Sequence, residues 1–230
     1  MARMKKVARR KRGEVEEAPP SNSIDQRHMW LGGLGILFLL AIVGLVFLTR
    51  PATVDTAIYE SINSDTLILG NPDAPILIRD FADFKCPHCK QATTTLIPSI
   101  IEEYVAKGTV RLEVVPVAFR DESSFGGQAA LCADDQGQFW PYHDLLFEQQ
   151  AERFTIEQLL QFGRDLDMDD QELRDCIVSG KYRRQMEENL EEFRNVGGTG
   201  TPTFVVGDET LASGVPAFSA VEESIAKQLE

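Results

Sequence analysis

Cys86 and Cys89 stand three positions apart and enclose Pro87 and His88. A cysteine pair at this spacing has two chemical uses, a redox dithiol or half of a zinc site. The neighbouring residues favour the first. Ile76, Ile78, Phe81 and Phe84 predict a buried strand and the turn after it. Leu96, Ile97, Ile100, Ile101 and Tyr104 recur at spacings of three and four, which predicts a helix. The pair therefore sits where a strand hands over to a helix.

That position suits a reactive thiol. Cys86 falls at or just before the helix N-terminus, with Pro87 at the first helical position, where a missing N–H costs little. Unpaired backbone N–H groups and the positive end of the helix dipole favour an anion there, and for a cysteine the anion is the thiolate. Cys89 lies one turn on, within reach for a disulfide. A cationic or hydrogen-bonding His88 imidazole is expected to lower the Cys86 pKa further, into a range of roughly 3.5–7.5. A thiolate stabilised this way favours the dithiol over the disulfide, so the disulfide form is an oxidant. Zinc requires two more ligands. Outside the motif only Cys132, Cys176, His28 and His143 remain, and none forms a second closely spaced pair.

The 230 residues allow one globular domain with extensions. The formal charge of −13 is uneven. Residues 1–29 carry eight Lys/Arg against four Asp/Glu, a net of about +4, which leaves the remainder near −17. So acidic a body argues against nucleic acid as a partner. From Trp30 to Thr49 there is no charged residue, and a run of about 20 such residues matches what a bilayer-spanning helix needs. Thr49-Arg50-Pro51 is a poor cleavage site, so the run reads as an uncleaved anchor. Lys5, Lys6, Arg9, Arg10, Lys11 and Arg12 precede it and only Arg50 closely follows. The positive-inside rule then places the N-terminus in the cytoplasm and the rest outside. The basic run also suits anionic lipid or nucleic acid, but setting topology is the simpler use. All four cysteines fall beyond the span, where disulfides persist.

Four segments follow. They are a basic tail at 1–29, the anchor at 30–49, a tether at 50–64 and a folded domain at 65–230. Within the domain, Leu67-Ile68-Leu69 predicts a first edge strand. The motif strand and helix come next, with Pro98 expected to kink the helix. A strand over Val110–Phe119 follows, where Pro116 suggests an irregularity or an edge. A helical block spans about 121–196, with candidate helices at Phe125–Asp134, Gln138–Gln150, Ile156–Leu166, Asp170–Ser179 and Tyr182–Asn195. Thr155 and Asp169 are candidate N-caps. Strands at Thr203–Val206 and around Leu211, then a helix from Ser219 to Leu229, close the chain. The order predicts an α/β sheet with an inserted helical domain, preceded by one transmembrane helix.

With these residues in place the chain resembles the thioredoxin-fold family, and within it the DsbA-like thiol:disulfide oxidoreductases. The motifs that carry the resemblance are Gly70–Pro75, Asp83–Cys89, Gln136–Trp140 running on to His143–Phe147, and Gly200–Phe204. It implies an exposed nucleophile at Cys86 and a buried partner at Cys89. It also implies a cis-proline loop at Thr201-Pro202 facing both sulfurs and able to hold a substrate backbone. Asp80 matches the family's buried acidic residue near the second cysteine, where a carboxyl of raised pKa could shuttle a proton. The alternative for Asp80 is a surface residue on an edge strand.

Cys132 and Cys176 are each other's only partners if Cys86 pairs with Cys89, and an oxidising compartment favours a structural disulfide between them over two buried free thiols. His143, Phe139, Trp140, Phe147 and Phe154 are read as packing residues. The expected activity is disulfide donation to cysteine-containing extracytoplasmic proteins. The resemblance implies reoxidation by a quinone-linked membrane partner, with no metal or organic cofactor. Two alternatives stay open. One is a reductase or isomerase of the same fold, since a Thr before the cis proline also occurs among isomerase-like relatives. The other is a tethered binding or holdase module with purely structural cysteines.

Overall fold

The computed structural model describes Ile62 and residues 67–230. The basic tail, the expected anchor at 30–49 and all of the tether except Ile62 lie outside the described residues. Among the described residues no helix is long and apolar enough to cross a membrane.

The sheet is built around Ile76–Ala82 (β2). It pairs in parallel with Val110–Pro116 (β3) and antiparallel with Thr203–Val206 (β4). Two short strands, Ile68–Leu69 (β1) and Glu209–Thr210 (β5), complete the order β1-β3-β2-β4-β5. The alternation of a strand decides what each face receives. In β2, Ile76, Ile78 and Ala82 enter the main core, and Phe81 points to the opposite side. Asp80 shares the parity of Ile78 and Ala82, so it is carried onto the face that also holds Cys89. It is fully buried in the middle of the sheet, opposite Val114 and Phe204, which excludes a place on an edge strand.

Helix Pro87–Ile100 (α1) follows β2, and the C-terminal helix Phe218–Gln228 (α7) packs against it. Pro98 lies inside the first helix, near its end. The chain then passes into π-type winding over Ile101–Val105, where the Ala106 N–H reaches back five residues to the Ile101 carbonyl. Pro116 likewise does not mark an edge; it is the last residue of β3, a strand flanked on both sides.

The inserted block consists of Asp121–Asp134 (α2), Phe139–Glu148 (α3), Ile156–Asp165 (α4), Asp170–Ser179 (α5) and Arg183–Asn195 (α6). Thr155 and Asp169 cap α4 and α5, accepting hydrogen bonds from the Gln158 and Glu172 N–H groups. The second helix starts four residues before the expected Phe125. Its first turn has no apolar periodicity, but Asp121 and Glu122 suit the positive helix end. Gly126 and Gly127 let it pack closely: a Cβ would meet the Phe154 ring at 2.7 Å and the Met186 methyl at 2.4 Å. The other sheet face is covered by α6 through Phe193, which meets Phe81, Val115 and Val205.

Cys132 at the end of α2 is bonded to Cys176 in α5, with the Cα atoms 5.9 Å apart. The two cysteines are 44 residues apart in sequence, and removing a bridge that closes such a loop is expected to cost up to about 4 kcal/mol. The double variant Cys132→Ala/Cys176→Ala should therefore unfold at clearly lower urea concentration. An unchanged midpoint would mean that the bridge adds no stability.

Candidate active site

Cys86 is the N-cap of α1, with extended backbone (φ −86°, ψ 120°), and Pro87 opens the helix. Its amide is bonded to the Asp83 carbonyl at 2.9 Å, and its carbonyl accepts from the Lys90 N–H at 3.2 Å. The turn is set by Asp83, whose Oδ1 accepts the Lys85 N–H at 2.7 Å. Both sulfurs are free thiols here; Cys86 is half-buried and Cys89 fully buried. Cys132 and Cys176, the remaining thiols that a zinc site would draw on, are bonded to each other.

The Thr201-Pro202 peptide is cis, and the Thr201 carbonyl accepts a hydrogen bond from the Cys86 thiol at 3.2 Å. That bond holds the protonated form. Donors that favour the thiolate outweigh it and lower the Cys86 pKa to about 5. The Cys89 thiol is the strongest of these donors, followed by the Thr201 side chain and the N–H groups of Cys89 and His88, while partial burial opposes them. His88 therefore acts through its backbone. Its side chain is exposed, and the contribution seen at Cys86 is that of the backbone N–H. Cys89 is driven the other way, far above an ordinary thiol, first by burial, then by Cys86 and by Asp80. Burial and the neighbouring Cys86 charge push the Asp80 carboxyl up to about 8, and neither of its oxygens has a hydrogen-bond partner among the described residues.

The inserted block grips the motif from the side. Gln150 donates from Nε2 to the Phe84 and Cys86 carbonyls, both at 2.9 Å. The Lys85 ammonium donates to the Gln150 and Glu152 carbonyls at 2.7 and 2.9 Å and lies 4.6 Å from the Phe154 ring centre. Lys90 donates to the Glu148 carbonyl at 3.1 Å. These ties close the C-terminal end of α3, where helix carbonyls lack partners, with side chains from the redox motif. Behind them His143 is fully buried, its ring against Phe84, Phe139, Trp140 and Phe147 and its Nδ1 2.9 Å from the Asp144 carboxylate. It packs the aromatic wall behind the motif. Lys85, Lys90 and Gln150 were not singled out by sequence, because their partners are backbone carbonyls about 60 residues away.

A dithiol at a helix N-terminus, facing a cis-proline loop on a mixed β-sheet, defines a thiol:disulfide oxidoreductase of the DsbA-like kind. The chain belongs to the thioredoxin family, whose model, described as thioredoxin, matches residues 63–225. It is 27% identical over 221 residues to a probable disulfide bond formation protein D of Bacillus anthracis, covering 87% of this chain and 97% of that one. It is also 27% identical over 175 residues to disulfide bond formation protein D of Bacillus subtilis, covering 71% of this chain and 77% of the relative. Among solved structures it resembles oxidised BdbD from Bacillus subtilis, with 25% identity, a TM-score of 0.65, and coverage of 72% of this chain and 93% of that one. DsbA from Chlamydia trachomatis is similar at 26% identity and a TM-score of 0.61, with coverage of 70% and 90%.

Two groups give the reduced protein opposing pH dependences. Folded Cys86 loses its proton near pH 5 against an ordinary 9.0, so between those values the unfolded chain holds the extra proton and stability rises with pH. Folded Asp80 keeps its proton to about pH 8 against an ordinary 3.8, so stability falls as pH rises through that window. Asp80→Asn removes the second effect. Its stability relative to wild type, measured by urea denaturation, should grow from pH 4 to 8. The thiolate absorbance at 240 nm should titrate with a midpoint near 5 in wild type. A midpoint near 9, or a constant offset in the variant, would contradict these assignments.

Proposed function

We propose that the protein is an extracytoplasmic, membrane-tethered disulfide donor that acts through the Cys86–Cys89 disulfide. The observation that carries this reading is the asymmetry of the pair: Cys86 is a half-buried helix N-cap, where a thiolate is favoured, and Cys89 is fully buried, where one is disfavoured. A substrate thiolate attacks the half-buried Cys86 sulfur, breaking the Cys86–Cys89 bond and forming a mixed disulfide. The departing Cys89 sulfur takes a proton, for which the neutral Asp80 carboxyl is the nearby buried source. A second substrate thiolate then attacks the substrate sulfur of the mixed disulfide, and Cys86 leaves as its stabilised thiolate. Two electrons pass from the substrate dithiol to the cysteine pair.

That the relatives are disulfide bond formation proteins supports the donor direction. The Thr201-Pro202 backbone beside Cys86 suits an extended substrate segment laid against the loop. The uncharged run at 30–49 and the basic residues before it support a single-pass anchor with the catalytic domain outside. Each turnover leaves a dithiol, so a membrane partner must reoxidise it, and a quinone-linked protein has the required chemistry.

In intact cells, Cys89→Ser should accumulate mixed disulfides with extracytoplasmic proteins, and Cys86→Ser should accumulate none. After reduction of the pair, a membrane-impermeant thiol reagent should label Cys86 without lysis. Absence of trapped species in Cys89→Ser would remove the exchange reading, and labelling only after lysis would remove the extracytoplasmic one.

A further inference from the structure

The loop that faces Cys86 is itself held from behind by one turn, and the hydrogens there can be counted. The Thr203 hydroxyl donates to the Gly200 carbonyl at 2.7 Å, which uses its single hydrogen. In its 2.9 Å contact with Ser213, Thr203 is therefore the acceptor and Ser213 the donor. Ser213 has then spent its own hydrogen, so the Thr199 hydroxyl at 3.1 Å and the Thr199 N–H at 3.2 Å both donate to it. The result is a directed chain, Thr199 to Ser213 to Thr203 to Gly200, which spans the cis peptide on both sides. The next residue adds a fifth hydrogen bond: the Gly214 N–H donates to the Pro202 carbonyl at 2.7 Å, from a backbone at φ +109° that favours glycine. Thr203 is fully buried, so its hydroxyl has no water to fall back on, whereas Ser213 is exposed and tolerates a change of size.

We propose that Ser213 is a positioning residue for the redox centre: its hydroxyl fixes the Thr199–Thr203 loop against Cys86, so that both substrate capture and Cys86 reactivity depend on a group that touches neither. The route is short. Thr201 lies between the two tied ends and makes the 3.2 Å contact with Cys86. Freeing the ends lets Thr201 retreat, which takes from the sulfur both the carbonyl that accepts from its thiol and the side chain that favours its thiolate, and blurs the backbone surface on which a substrate segment lies. The inference rests on thiol–disulfide exchange at Cys86 and not on its direction, so it stands or falls separately from the donor reading.

The test uses the full chain with Ser213→Ala, Ser213→Thr and Thr203→Val. Two quantities are read: the 240 nm thiolate midpoint of Cys86, and KM and kcat for exchange with a model peptide carrying two cysteines. Ser213→Ala is expected to shift the midpoint and to raise KM about three-fold, the effect of one or two lost hydrogen bonds, with kcat changed less. Ser213→Thr restores the hydroxyl and should return both values to wild type. Thr203→Val keeps the volume, cuts the same chain, and should shift both values in the direction of Ser213→Ala. It also supplies the answer if Ser213→Ala does not fold. A purely structural role would lower the melting temperature and leave midpoint and KM unmoved. That result, or a shift that Ser213→Thr fails to reverse, overturns the proposal.

Discussion

The site depends on where one negative charge can be placed. Cys86 and Cys89 are one helical turn apart, yet their surroundings are opposite. Cys86 sits at a helix N-terminus, where N–H groups and the Cys89 thiol point at its sulfur. Cys89 is buried against the sheet with Asp80 on the same face, so a second negative charge there is resisted by desolvation and by repulsion. The reduced pair therefore carries one thiolate, on the accessible sulfur. The same arrangement makes Cys86 a good leaving group and Cys89 a thiol that must be given a proton whenever the disulfide opens.

Much of the architecture serves this asymmetry. The parity of β2 brings Asp80 beneath the motif, and the strand–helix junction sets Cys86 at the N-cap. The inserted helices supply the other constraint. Gln150 holds the Phe84 and Cys86 carbonyls, while Lys85 and Lys90 fasten the motif to the end of α3. The aromatic wall around His143 backs Phe84, and the Cys132–Cys176 bridge ties α2 to α5 away from the redox pair. On the opposite side the turn at Ser213 and Gly214 restrains the proline loop. The reactive sulfur is thus framed by two elements, one on each flank, that are distant from it in sequence.

What was legible in the sequence was local. The strand before Cys86 and the helix after it follow from apolar spacing, and Thr155 and Asp169 are caps because they precede periodic runs. The burial of Asp80 was left open, because period-2 parity gives its side of the sheet but not which strands flank it. The start of α2 was misplaced because its first turn is specified by acidic residues, not by apolar ones. The sequence suggests an effect of His88 through its imidazole, and the structure adds one through its backbone N–H, which composition does not reveal. Gln150 and Ser213 were not anticipated because an amide or hydroxyl gains a positioning role only from carbonyls and hydroxyls that the fold brings to it.

The most direct test of the charge asymmetry is the equilibrium of the Cys86/Cys89 pair with a glutathione redox buffer. A thiolate favoured at Cys86 stabilises the dithiol and predicts an oxidising potential, nearer to about −120 mV than to the reducing end of the thioredoxin-fold range. A value near about −270 mV would show that the disulfide is the stable form and would contradict the donor assignment.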